Sequence, residues 1–271
     1  MNKSNKINLG VNLSMIFTEV PLIERFALAR QAGFDTVEVQ FPYELSIDAI
    51  QQQLQRYQLE LCLINVPAAD LLQGGLGLAC VPNKQTEFQQ AVKQAVEYAT
   101  VLNVPMINVL AGRNQTATGE QSFDCNECWQ VLIENLKFTA EYAQKHGIKV
   151  VFELINGIDM PHFLVQNLNQ VEQVLQQVQH DNLALQFDCY HIARIGENVA
   201  DSLHKYMPHI GHIQFADSPT RHQPSTGELN FAEIFQAIAE SDYQGKVCAE
   251  YRPQGESLQS FNWKEKFKQF F

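Results

Sequence analysis

LALQFD at residues 183–188 and HIGHIQFAD at residues 209–217 decide how this chain reads. In the first, Leu183, Leu185 and Phe187 fall on one side and Ala184, Gln186 and Asp188 on the other. In the second, Ile213 and Phe215 oppose His212 and Gln214. Successive strand side chains alternate between faces. Each run is therefore a strand with an oily face for covering helices and a smaller, more polar face for an interior.

Six further β-type runs have the same character: INLGVN from residue 7, TVEVQF from 36, LELCLINV from 59, VPMINVL from 104, IKVVFELI from 148 and KVCAEY from 246. Between them lie helical patterns: EVPLIERFALARQAG, TEFQQAVKQAVEYATVLN, CWQVLIENLKFTAEYAQKHG, NQVEQVLQQVQ and FAEIFQAIAESDYQG. Several end at glycine, the residue that closes a helix in the left-handed conformation. Eight strands alternating with helices predict an α/β fold of the (β/α)8 TIM-barrel type. The 271 residues, 45% hydrophobic and 18% charged, suffice for one such barrel, so a single domain over 1–271 is expected.

The net charge of −11 and the lack of a Lys/Arg cluster argue against a nucleic-acid partner or an anionic membrane surface. Near the start, Asn8, Gly10, Asn12 and Ser14 interrupt any apolar run that a signal peptide would need. No apolar stretch approaches the ~18 residues of a membrane span. A soluble, cytoplasmic protein is expected. Of six cysteines, Cys62, Cys189 and Cys248 sit inside apolar strand-like runs as small hydrophobes, and Cys125 with Cys128 forms a lone CxxC. Residues 67–84, PAADLLQGGLGLACVPNK, read as the longest structureless piece, either a loop over the barrel mouth or a surface excursion. The aromatic C-terminus, with helical spacing in KEKFKQFF, is expected to pack on the helix layer of the last strand rather than on a partner.

Glu153 ends the fifth run, Asp188 the sixth, Gln214 the seventh and Glu250 the eighth. Neighbouring strands lie ~4.8 Å apart, so side chains of equal height at the C-terminal ends can converge, on the face where barrel enzymes keep their chemistry. Three converging carboxylates repel one another unless a cation sits between them. An all-oxygen set without thiolate or imidazole favours Mg²⁺ or Mn²⁺. Taken singly, each residue is also explained as a strand-end polar group making local hydrogen bonds.

Candidate helpers lie beside this set. His191 follows Asp188 by three, Arg221 and His222 lie in the loop after Gln214, and Asp159 follows Glu153 by six. Arg221 suits a substrate carboxylate or hydroxyl through its fork of donors. Glu38, Asn65 and Asn108, near the ends of the second, third and fourth runs, could bond a polyhydroxylated substrate or cap local turns.

NLSMIFTEVP, NVPAAD, INVLAGR, FELINGIDMP, QFDCYH, HIQFADSPTRHQPSTGELNF and AEYRPQG together resemble the hydroxypyruvate isomerase family, within the xylose-isomerase-like barrels. The resemblance runs through nearly the whole chain. It implies that Glu153, Asp188, Gln214 and Glu250 stand at the family's metal positions and that Glu153 and Glu250 stand at its acid/base pair. His191 and Arg221 match substrate contacts of the related ketose 3-epimerases. The chain departs from the family where Leu154 replaces a proline, Ile158 replaces an arginine, and AADLLQ and GGLG replace GDW and GERG motifs.

The implied reaction is the aldose-ketose interconversion of hydroxypyruvate and tartronate semialdehyde through a metal-stabilised enediolate. The alternatives are a 2-oxo-tetronate isomerase acting on a four-carbon 2-oxo acid, a ketose 3-epimerase, and a non-catalytic sugar-acid binding protein. A metal-dependent endonuclease on the same barrel would need a basic groove and more ligands, against the −11 charge. Barrels of this kind often pair through helices or loops, which leaves a homo-oligomer open.

Overall fold

The structure is a computed structural model that describes residues 5–271. Its elements run β1 (Asn8–Asn12), α1 (Leu22–Gln31), β2 (Thr36–Val39), α2 (Ile47–Tyr57), β3 (Glu60–Asn65), α3 (Gln85–Leu102), β4 (Met106–Val109) and α4 (Cys125–Gln144). They continue with β5 (Lys149–Glu153), α5 (Leu168–Val178), β6 (Leu183–Asp188), α6 (Cys189–Arg194), α7 (Val199–Tyr206), β7 (Ile210–Phe215), α8 (Phe231–Glu240), β8 (Lys246–Ala249) and α9 (Trp263–Lys266). The strands close in chain order, β1 to β8, into a barrel whose recorded pairings are parallel. All eight β-type runs became strands.

Helix ends follow local chemistry. Ser46, Asp124, Asn167, Asn198 and Asn230 cap α2, α4, α5, α7 and α8 by accepting backbone N–H bonds. Gly33 and Gly147 take positive φ after α1 and α4, as expected, but α2, α3 and α5 end on left-handed Gln58, Asn103 and Gln179. Helix α8 stops at Glu240, five residues short of the glycine expected to end it, because Ser241 turns the chain into extended backbone.

The chain falls into two compact units, Met1–Cys62 with Phe187–Phe271, and Leu63–Gln186. In the first, Phe215 on β7 packs edge-on against Phe231, Phe235 and Trp263, and Phe267 and Phe270 pack on Phe235. Trp263, Phe267 and Phe270 thus bury against β7 and α8, with Trp263–Lys266 as a short α-helix after a 3-10 turn at Ser257–Phe261.

In the second unit, the stretch after β3 is ordered rather than structureless. It holds two short 3-10 turns, Leu71–Gln73 and Pro82–Lys84, and buries Leu71, Leu76, Leu78 and Cys80. Arg113, 5% exposed, ties it down. Its Nη1 donates to the carbonyls of Leu71 at 2.6 Å and Gly75 at 3.0 Å, and its Nε to that of Pro161 at 3.0 Å. Arg113→Ala leaves these carbonyls without their donor, which should cost about 3 kcal/mol and lower Tm by roughly 6–12 °C in a domain of this size. Thermal unfolding checks this; a shift under ~2 °C would show that the loop does not depend on the guanidinium.

Candidate active site

The strand ends place the predicted oxygen set as follows. Glu153 and Asp188 are the last residues of β5 and β6, Gln214 is the penultimate residue of β7, and Glu250 follows β8 directly. All four are buried. Neighbouring strands are offset in register, as barrel closure requires. Glu153 lies opposite Gln186, two residues before Asp188, and Gln214 lies opposite Cys248, two before Glu250.

Asp188, Gln214 and Glu250 come together in the first unit. Arg221 Nη2 donates to Glu250 Oε2 at 2.6 Å and Asp188 Oδ2 at 3.2 Å, and its guanidinium lies 4.9 Å over the Tyr190 ring. Gln214 Nε2 donates to Glu38 Oε1 at 2.5 Å and Glu250 Oε1 at 3.1 Å. Asn12 Nδ2 does the same, at 2.8 Å to each, and Gln40 Nε2 adds a third donor to Glu250 Oε1 at 2.9 Å. Two carboxylates are thereby bridged by two amides. Each NH2 spends both hydrogens on them, which lets like charges share a dry site. It also fixes Glu250, with Oε1 held by amides and Oε2 turned to Arg221.

The electrostatics follow from burial. Desolvation pushes Glu250 up to about 8, against the pull of Arg221 and with Asp188 and Glu38 adding to the rise. Asp188 is likewise raised by burial, opposed by Arg221 and the backbone N–H of Tyr190. For Glu38, burial also disfavours the charge, but the His212 ring and the Asn12 and Gln214 amides outweigh it and hold the carboxyl below its usual range. Burial and then Arg221 hold His191 well below its usual value. The 3.5 Å contact of its Nε2 with Asp188 Oδ2 therefore involves a neutral ring.

Asp217 is a loop builder. Its carboxylate accepts from the N–H groups of Ser218, Thr226, Gly227 and Leu229, and this positions the Arg221 segment. Glu228 contributes its backbone N–H to Ser218 O. His222 Nδ1 bonds the Arg252 carbonyl at 2.7 Å, a backbone role.

In the second unit, Glu153 accepts from Gln186 Nε2. Asn108 Nδ2 donates to Asn65 Oδ1 at 3.2 Å, while the buried Oδ1 of Asn108 has no hydrogen-bond partner among the described residues. An orphaned buried acceptor suits a ligand donor. Asp159 is exposed and closes a local turn with Asn156.

Sequence reasoning did not single out Asn12, Gln40, Gln186 or His212. The visible signal was a polar residue on the inward face of a strand, but an Asn or Gln at a strand end also explains itself as a turn residue. Pairing across the barrel is what separates the two.

Residues 26–268 match the family model of the xylose isomerase-like TIM barrels. Hydroxypyruvate isomerase of Escherichia coli strain K12 is 35% identical, over 97% of this chain and all (100%) of that one. A 2-oxo-tetronate isomerase of Cupriavidus necator is 34% identical, over 94% of this chain and 96% of that one. A crystal structure described as an AP endonuclease, family 2, from Brucella melitensis superposes with a TM-score of 0.90 at 31% identity, over 96% of this chain and 99% of that one.

Proposed function

The chain belongs to the xylose isomerase-like TIM barrel family and, within it, to the hydroxypyruvate isomerases, and from this we propose that it interconverts hydroxypyruvate and tartronate semialdehyde. A four-carbon 2-oxo acid is the second reading, because a relative of similar identity is named a 2-oxo-tetronate isomerase. The observation that carries the proposal is the buried Asp188, Gln214 and Glu250 group, with Glu250 fixed by three amides and Arg221 set against two carboxylates. The net charge of −11 speaks against a polyanionic DNA substrate.

The residues fit a divalent cation. Glu38, Asp188 and Glu250 are buried carboxylates, burial drives Asp188 and Glu250 upward, and the oxygen-only donors suit Mg²⁺ or Mn²⁺. Asp188, Gln214 and Glu250 would hold it, and Glu153 is assigned to the same set from its place at the C-terminal end of β5. Bound there, the cation would supply the positive charge that stabilises an enediolate.

The chain's own groups would do the rest. One of Glu153 and Glu250 removes the proton beside the carbonyl and the other delivers one to the neighbouring carbon. For Glu250 the working oxygen is Oε2, since Oε1 is engaged by Asn12, Gln40 and Gln214. Neutral His191 can donate to or accept from a substrate oxygen. Arg221 offers its fork to the substrate carboxylate. Asn65, Asn108 and Asp159 are assigned as further substrate contacts, with the unpaired Asn108 acceptor as the support for that residue. A cytoplasmic setting belongs to the same proposal.

Proton NMR of hydroxypyruvate in D2O with the purified protein and Mg²⁺ tests it. The C3 signal should decay only when the protein is present. No decay removes hydroxypyruvate as the substrate; repeating the run with four-carbon 2-oxo acids and ketoses then separates an isomerase or epimerase of another substrate from a protein that only binds.

A further inference from the structure

One pleat nearer the N-terminal ends of β7 and β8 lies a second group of ligand-type side chains, of different chemistry. Glu38, His212 and Cys248 each offer a donor atom, and these atoms lie within 4.8 Å of one another. Cys62 Sγ stands 3.8 Å from Cys248 Sγ. The four residues are 0%, 2%, 0% and 3% exposed in the order Glu38, His212, Cys248 and Cys62.

Glu38, His212 and Cys248 form the compact part of the set; Cys62 lies outside that group, beside Cys248, and must move inward for two thiols, an imidazole and a carboxylate to close around Zn²⁺. With Zn–S bonds of ~2.3 Å, a tetrahedron has an S···S edge of ~3.8 Å, the separation of the two thiols. Glu38 Oε2 and His212 Nε2 are 2.7 Å apart, sharing a hydrogen bond. They must open by ~0.6 Å to reach the ~3.3 Å edge set by Zn–N and Zn–O bonds near ~2.0 Å.

The surroundings suit that arrangement. Asn12 and Gln214 both hold Glu38 through Oε1, so the carboxylate is oriented by outer partners, with Oε2 toward His212. Gly10, on β1, gives the Cys248 thiol its place: a Cβ there would meet Sγ at 2.4 Å.

We propose that Glu38, His212, Cys62 and Cys248 form a buried zinc site, structural in character and joined to the oxygen set only through the Asn12 and Gln214 amides that bridge Glu38 to Glu250. Zinc entry releases the two thiol protons to solvent and binds His212 through a hydrogen-free Nε2, the ring proton being carried on Nδ1, leaving two thiolates, a neutral imidazole and a carboxylate as ligands. The site is independent of the proposed isomerase reaction, and its test does not use activity.

Cobalt is the probe, because only thiolate ligation gives an intense sulfur-to-cobalt charge-transfer band in the near ultraviolet. Full-length protein produced in cobalt-supplemented minimal medium and passed through gel filtration should retain cobalt and show that band. The band should vanish in Cys248→Ser, weaken in Cys62→Ser, and stay unchanged in Cys128→Ser, which breaks the other thiol pair, Cys80 with Cys128. X-ray absorption at the cobalt edge of the unaltered protein gives a second readout should Cys248→Ser not fold: a sulfur shell at ~2.3 Å is expected. Failure to retain cobalt, cobalt with an oxygen-only shell, or a thiolate band that survives Cys248→Ser would each overturn the site.

Discussion

Glu250→Gln should lower turnover by ~10²- to 10⁴-fold, the range that a positioned acid or base contributes to proton transfer. The substitution keeps the shape of the side chain and its contacts with the Asn12 and Gln40 amides through Oε1, but replaces the oxygen facing Arg221 by an NH2 that cannot take a proton. Arg221 then faces a donor instead of an acceptor, so substrate affinity should also weaken. Glu153→Gln should show a comparable fall in kcat, while keeping a side chain that can still bond Gln186. C3 proton exchange in D2O separates the two roles: a variant that loses net conversion but still exchanges has kept its base. A rate within about threefold of the unaltered protein in either variant would rule that glutamate out of the proton transfer.

Removing divalent cations should bring turnover to background, and Mn²⁺ or Mg²⁺ should restore it. The buried carboxylates of Glu38, Asp188 and Glu250 are met by amides, His212, His191 and Arg221, and burial still drives Asp188 and Glu250 upward. A cation that relieves this should bind well and be felt when lost. Asp188→Asn removes one full charge from the set and should weaken Mn²⁺ binding by at least about tenfold, equivalent to ~1.4 kcal/mol. Dialysis against EDTA, followed by activity and by calorimetric titration with Mn²⁺, checks both. Full activity after exhaustive chelation would mean that protein groups alone stabilise the enediolate, with Arg221 and His191 carrying that task.

Much of the fold was legible because a barrel strand announces itself locally. An apolar run of four to six residues has few alternatives when helical periodicity begins soon after it. The ordered loop at 67–84 was not legible, since its anchor, Arg113, lies some thirty residues further on and acts through backbone carbonyls that leave no mark on sequence. The candidate site divides in the same way. Asp188, Gln214, Glu250, His191 and Arg221 were visible as charged or polar residues at or just beyond strand ends, where apolar runs make them conspicuous. The ring of Asn12, Glu38, Gln214 and Glu250 joins β1, β2, β7 and β8, and no spacing along the chain encodes it.

By itself, then, the sequence determined the barrel, the order of its strands and the kinds of atom at their C-terminal ends, because each of these depends on side-chain alternation within a few residues. Tertiary structure alone decided register and partners. The stagger that closes a barrel set Gln214 opposite Cys248 rather than Glu250, turned one oxygen of Glu250 to three amides and the other to Arg221, and brought two cysteines from β3 and β8 to 3.8 Å. Such contacts arise from the geometry of strand closure, which brings residues more than a hundred positions apart within reach of a single hydrogen bond.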